Sequence, residues 1–180
     1  MKEKFLEQAS REYSPGKRSL LLMIAGVFFL GIFPVSLFYF SPLLDRQFGW
    51  PSLAFGLINL ILGGILTVAG YLFGGWAVYV QFTLGRGTPV PLMATQQLII
   101  QKPYNYCRNP MALGAIVAFL GIAVLAGSIS AVALVIFLST LLLIYIKFLE
   151  EKEMELRFGE PYREYRKRTP FIMPRLWQRK

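Results

Sequence analysis

Three stretches without a single charged side chain constrain this chain more than anything else in it: residues 20–40, 47–85 and 109–146. At 1.5 Å rise per residue the first reaches about 31 Å as a helix, the thickness of one hydrocarbon core. Charged residues make up 16% of the chain, against about 25% in an ordinary soluble domain. A bilayer is the solvent that such runs require, and backbone satisfaction inside lipid then demands helices. The expected fold is an all-α polytopic membrane bundle of about four transmembrane helices, a single domain over residues 1–180 with a two-span part (1–84) and a second part (85–180).

Pro34 lies inside the first run, where a proline is tolerated if a neighbouring helix satisfies the carbonyl it frees. Ser41-Pro42 is expected to begin a short loop carrying Asp45 and Arg46, with Trp50 suited to the interface. The second run predicts one long, tilted helix from about Ser52 to about Gln81. Its glycine pairs Gly63-Gly64 and Gly74-Gly75 mark either close helix contacts or a bend. In the third run, residues 127–130 (Gly-Ser-Ile-Ser) read as a tight turn. That gives a hairpin of helices over about 111–126 and 131–148, the second continuing as 149–158. A polar, proline-rich connection over 85–110 is too long for a simple turn, and ordered connections of that length are often functional.

The formal net charge is +9. Most basic residues flank the apolar runs, which suits anionic lipid headgroups and gives no reason to expect nucleic acid as a partner. With four spans, every lysine and arginine except Arg46 falls on one side together with both termini. That makes the N-terminus, the 85–110 connection and the tail cytoplasmic. Splitting the second run in two would break this asymmetry. Residues 1–19 are polar and long, and the apolar run after them is of spanning length, so they do not read as a cleaved signal. One cysteine, Cys107, allows no intramolecular disulfide, and the absence of histidine removes the imidazole base and the usual zinc ligand. No metal is expected.

The hairpin carries a further consequence. Equal steps along its two antiparallel arms put Arg108 level with Leu149, so Arg108, Asn109, Glu150 and Glu151 should cluster at one membrane face to within about a turn. Pro110 suits the first turn of a helix, with Asn109 as N-cap, and the amides there favour an anionic group. Simpler roles exist for each: Arg108 as an interfacial anchor, Asn109 as a cap alone, Glu153 with Arg157 and Lys147 with Glu151 as i,i+4 pairs.

Two blocks of sequence add to this. Gly85-Arg86-Gly87-Thr88-Pro89-Val90-Pro91, followed by Leu98-Ile99-Ile100-Gln101-Lys102-Pro103-Tyr104-Asn105-Tyr106-Cys107-Arg108-Asn109-Pro110-Met111, resembles the isoprenylcysteine carboxyl methyltransferase family, which is grouped with phospholipid methyltransferases. Glu150-Glu151, followed by Leu156-Arg157-Phe158-Gly159-Glu160-Pro161-Tyr162-Arg163-Glu164-Tyr165, resembles that family's second block. The likeness covers about half the chain, residues 85–174. Many members have glycine where this chain has Lys102, histidine where it has Asn109, and an aromatic residue where it has Ala112.

The resemblance implies an integral membrane methyltransferase that takes its methyl group from S-adenosylmethionine and passes it to a lipophilic acceptor. It implies Arg108 and Glu150 as catalytic residues. Arg108, with Asn109 and the helix-start amides from Met111 onward, would meet the cofactor carboxylate, Pro110 setting the first turn that presents them. Glu150 or Glu151 would accept from its ribose hydroxyls or ammonium. Ile99, Ile100 and Tyr104 would line the adenine, and Gly85 and Gly87 would permit close backbone approach. Tyr162, Tyr165 and Arg166 would close the site on substrate or else serve as interfacial anchors. Acceptors that fit include isoprenylcysteine, a phospholipid amine, a quinone or terpenoid, and a hydrophobic thiol or acid. Methyl transfer by in-line displacement needs positioning more than a histidine base. Two other classes remain open to the sequence: an NADPH-dependent membrane reductase of the sterol type, and a non-catalytic small membrane protein. The latter would be expected to carry charge in mid-span, which these runs lack.

Overall fold

A computed structural model describes residues 14–85 and 95–175, which form helices and no strands. Three helices are long and apolar enough to cross a membrane, Gly16–Phe48, Leu57–Thr83 and Ile129–Phe158, and Pro110–Ala126 is a shorter apolar helix. Helix α1 (Pro15–Gly26) runs through a π-helical turn (Val27–Ile32) into α2 (Phe33–Phe48). Then come α3 (Leu57–Thr83), the hairpin α4 (Pro110–Ala126) and α5 (Ile129–Tyr145), a second π-helical turn (Ile146–Glu150), α6 (Glu151–Phe158) and α7 (Glu160–Arg168).

The first π turn leaves one carbonyl without a donor along the helix. In a π register the carbonyl of Phe29 would face the nitrogen of Pro34, which has no hydrogen to give. The Tyr71 hydroxyl of α3 donates to that carbonyl instead, at 3.1 Å. The freed acceptor is thus satisfied from a neighbouring helix, as lipid requires.

No loop begins at Ser41-Pro42: the helix continues to Phe48. A proline in a helix interior removes one hydrogen bond, and the Ser41 hydroxyl adds one by donating to the Leu37 carbonyl at 2.6 Å. The stop is Gly49, whose φ of 67° places it in the left-handed region. Its N–H donates to Arg46 O and that of Trp50 to Asp45 O, closing a Schellman end. Asp45 and Arg46 therefore belong to the last helical turn. The buried Asp45 carboxylate accepts from the backbone N–H (2.9 Å) and hydroxyl (2.5 Å) of Ser130, tying α2 to the start of α5.

α3 begins five residues later than Ser52, after Gly56. Asn59 explains the start: its side-chain oxygen accepts from Phe55 N–H, and its amide donates to the carbonyls of Leu53 and Val124. Those bonds, with Leu53 N–H donating to Gly127 O, supply donors to the last turn of α4. The hairpin turn is tighter than residues 127–130, because only Gly127 and Ser128 leave the helices; Ser128 accepts from Ala131 N–H as the N-cap of α5.

α4 is the centre of the bundle and packs on α2, α3 and α5. Its seam with α3 is made of small residues. A Cβ on Gly70 would lie 2.3 Å from Ala118 N and 2.6 Å from Gly114 O; one on Gly114 would lie 2.5 Å from the Gly74 backbone, and one on Gly63 would lie 2.7 Å from Gly121 O. The two backbones touch, as in small-residue membrane packing. Gly64 and Gly75 face open space, and α3 runs on as one helix through both pairs. On its other side α4 builds a core of Phe119, Ile122 and Ala123 with Leu37, Ala131 and Val135.

Candidate functional site

At one end of the bundle the 95–109 connection, the start of α4, the end of α5, and α6 with α7 come together. The connection is anchored along its length. Gln96 N–H donates to Gly85 O, the Arg157 guanidinium donates to Thr95 O, and the Tyr104 hydroxyl lies 2.8 Å from the Gln81 side-chain oxygen and 3.2 Å from Ala77 O. Tyr165 of α7 donates to Tyr104 O at 2.7 Å. Beyond α7, residues 169–175 fold back along the connection: Arg108 N–H donates to Pro170 O, and Arg175 N–H donates to Tyr106 O.

Arg108 sits at this junction. It donates from Nε and Nη2 to Glu151 Oε1 (2.9 and 2.5 Å), and from Nη1 to the carbonyls of Arg166 (2.9 Å) and Thr169 (2.6 Å). Both ends of the ion pair are buried, at 8% and 5% side-chain exposure. Four of its five hydrogens are therefore engaged within the protein. Lys147 reaches the other oxygen of Glu151 at 3.2 Å, and both cations lie over the Phe171 ring.

The two adjacent glutamates have separate fates, and the second π turn decides which is which. Ile146 points inward and is buried. In an unbroken α-helix the next inward place, four residues on, would be Glu150. The π turn bonds Glu151 N–H to Ile146 O, five residues back, and puts Glu151 there. Glu150 is left exposed, with no hydrogen bond or ion pair to the described residues.

The other expected site residues distribute as follows. Asn109 is the N-cap residue of α4 by position, but its side chain makes no cap bond; its amide donates to Phe171 O at 2.9 Å and holds the tail. Pro110 is buried at the first turn of α4, and Met111 packs against Ala77, Val80, Ile99 and Tyr104. Ile99 and Tyr104 face α3 in that same cluster, whereas Ile100 is exposed. Gly85 is needed for packing: a Cβ there would meet Ile99 Cδ1 at 2.7 Å and Gln81 O at 2.8 Å. Gly87 lies outside the described residues. Tyr162 and Tyr165 are buried, so they do not act as interfacial anchors. Arg166 reaches Glu155 at 2.8 Å, and Arg157 pairs with Glu153 at 3.6 Å.

Burial sets the electrostatics of the aromatic groups. It pushes the Tyr104 phenol well above its ordinary range, with the charges of Tyr165, Glu150 and Cys107 adding to the effect. Tyr162 and Tyr165 are raised chiefly by burial too, and the Cys107 thiol is raised by burial against a partly offsetting N–H from Asn109. All are neutral at physiological pH. Among the described residues no group of three or more histidine, cysteine or acidic side chains could hold a metal.

Residues missed by sequence reasoning are Thr169 and Phe171, which complete the surroundings of Arg108 and Asn109 through a carbonyl and a ring. A backbone carbonyl leaves no trace in residue identity, so nothing in the sequence marked them.

No curated protein and no solved structure matches the chain. The phospholipid methyltransferase family does, over residues 54–161, from the connection before α3 to the first turn of α7. That stretch contains the α3–α4 seam, the hairpin and the Arg108–Glu151 pair, and it is more than half of the sequence: this chain belongs to the phospholipid methyltransferase family.

Proposed function

We propose that this membrane methyltransferase draws its methyl group from S-adenosylmethionine, held at the Arg108–Glu151 end of the bundle, and methylates a lipophilic acceptor. The observation that carries the reading is Glu150. It is an exposed carboxylate with no hydrogen-bond or ion-pair partner among the described residues, one residue from a buried, fully paired glutamate, inside the family match.

The residues present fit such a cofactor in a definite division of labour. Glu150 is available to accept from an ammonium or ribose hydroxyls. Glu151 is not, because Arg108 and Lys147 already hold its two oxygens. Arg108 keeps one Nη2 hydrogen and its positive charge for a carboxylate, while its other bonds hold the tail in place. Asn109 orients the tail through Phe171 O. Ile99, Tyr104 and Met111 support the connection from beneath, and Ile100 offers exposed apolar surface. Tyr162, Tyr165 and Arg166 then close the site by packing and not by touching substrate. When bound, the cofactor supplies an electrophilic methyl on a sulfonium, which passes to an acceptor lone pair as the carbon–sulfur bond breaks. The protein's own contribution is positioning in a site partly walled from water. A carboxylate or thiolate acceptor needs no base, and an amine needs only to be neutral. We read four crossings, with both termini and this site cytoplasmic, because basic residues gather at this end and Arg46 alone lies at the other. The family match favours methyl transfer over the reductase and the non-catalytic readings.

Calorimetry with S-adenosylhomocysteine tests this. Wild-type protein should bind it, and Glu150→Ala should weaken binding by about tenfold or more, the loss of one charge-assisted hydrogen bond or more, with the unfolding midpoint unchanged. A folded wild type that binds none would end the cofactor reading.

A further inference from the structure

The Arg108 junction does not come out neutral. Arg108 and Lys147 share the single carboxylate of Glu151, Arg108 through Oε1 and Lys147 through Oε2. Arg108 is offset twice over, because the carbonyls of Arg166 and Thr169, at the C-terminal end of α7, also accept from it. Its side chain is 8% exposed. One positive charge is therefore left over, and it rests on the cation that a ligand can touch: Lys147, whose side chain is 49% exposed.

Lys147 is not a loose surface lysine. Its Nζ is held from two directions, 3.2 Å from Glu151 Oε2 and 5.1 Å from the centre of the Phe171 ring. An ammonium has three hydrogens, and Glu151 takes one of them. Among the described residues no other carboxylate or carbonyl accepts from it. Pairing with Glu151 alone is a small reason for a lysine here, since lysine before glutamate at i,i+4 is the weaker order on a helix. Glu150, three residues on, is exposed as well, and no bond joins the two. The junction thus presents two accessible charges of opposite sign within about 5 Å along the helix axis.

We propose that Lys147 is a cofactor-binding residue: its ammonium meets the carboxylate at the amino-acid end of S-adenosylmethionine, with the last hydrogen of Arg108 as a second donor. The inference rests on the cofactor reading above and divides the work of the two cations. Arg108 is the buried post around which Glu151 and the tail are built. Lys147 is the contact, steered towards the site by Glu151 and Phe171, and Glu150 serves the ammonium or ribose hydroxyls beside it.

Calorimetry on full-length protein in a neutral detergent tests this by comparing S-adenosylhomocysteine with its decarboxylated analogue, which keeps the ammonium and lacks only the carboxylate. Wild type should prefer S-adenosylhomocysteine by about tenfold or more, the worth of a charge-assisted hydrogen bond. Lys147→Gln, which can still donate to Glu151, should weaken S-adenosylhomocysteine about tenfold and leave the analogue unchanged. Equal losses for both ligands would make Lys147 a prop for the junction and overturn the assignment. A Lys147→Gln protein that binds S-adenosylhomocysteine as wild type does would overturn it too, while leaving the cofactor reading intact; the ammonium would then face another anion, such as a lipid phosphate. Wild type that binds neither ligand ends the cofactor reading and this assignment with it.

Discussion

The α3–α4 seam and the Arg108 junction are both buried and both hold the bundle together, but by opposite physics. The seam has almost no side chains. Its strength is contact between backbones, possible because Gly63, Gly70, Gly74, Gly114 and Gly121 carry nothing to separate them. The junction is nearly all polar: one guanidinium, one carboxylate, one carbonyl of α7, one of the tail and a lysine. Dispersion needs shape alone and tolerates no added volume. A buried charge network needs every partner in place, and the loss of one strands the others.

The largest expected effect is therefore in the seam. Gly70→Val should abolish the folded state, because its Cβ would collide with the Ala118 and Gly114 backbones. Gly64→Ala, on the open side of the same helix, should be neutral or stabilise by up to about 1 kcal/mol. Thermal unfolding in detergent measures both, and equal behaviour would erase the contrast. Next comes the junction: Glu151→Gln leaves Arg108 buried without its counter-charge, at a cost of about 3–5 kcal/mol. Tail release, read by proteolysis near Thr169, should accompany it. Tyr165→Phe removes one buried bond to the connection and should cost about 1–3 kcal/mol.

A pH series sharpens the same point. The Tyr104, Tyr162 and Tyr165 phenols are raised in the folded protein. Their contribution is complete below about pH 10, the ordinary phenol value, and falls as pH rises above it, because the unfolded chain then ionises first. Alkaline unfolding should set in above that pH and become shallower in Tyr104→Phe. The smallest effect is at the rim: Arg163→Ala breaks exposed pairs with Glu155 and Glu160 and should leave the midpoint unchanged.

Much of this was legible in the sequence, for reasons that can be named. Uncharged runs fix helix number because lipid leaves no alternative, and the hairpin arithmetic brings Arg108 to Glu151 because two straight helices keep step. What escaped was whatever breaks regularity. The π turn before Glu151 exchanges the roles of neighbouring glutamates, and no residue type announces such a turn. Pro42 read as a stop, whereas Gly49 supplies it through a left-handed backbone. The tail's return over Arg108 is written in carbonyls, which every sequence has everywhere.

The shortness of α4 has a consequence of its own. With Gly74 against Gly114, its first residue comes level with about the seventy-eighth, and α3 runs on to Thr83, about 8 Å further. The neighbouring helices thus form a rim around a sunken floor. A lipophilic acceptor of the kind proposed would meet this floor with its methylenes still in oil, where each would otherwise cost about 0.8 kcal/mol to wet. For the lipophilic acceptor proposed above, turnover would be a two-dimensional encounter: supply would come by lateral diffusion, and surface density in the leaflet, not concentration in water, would set the rate.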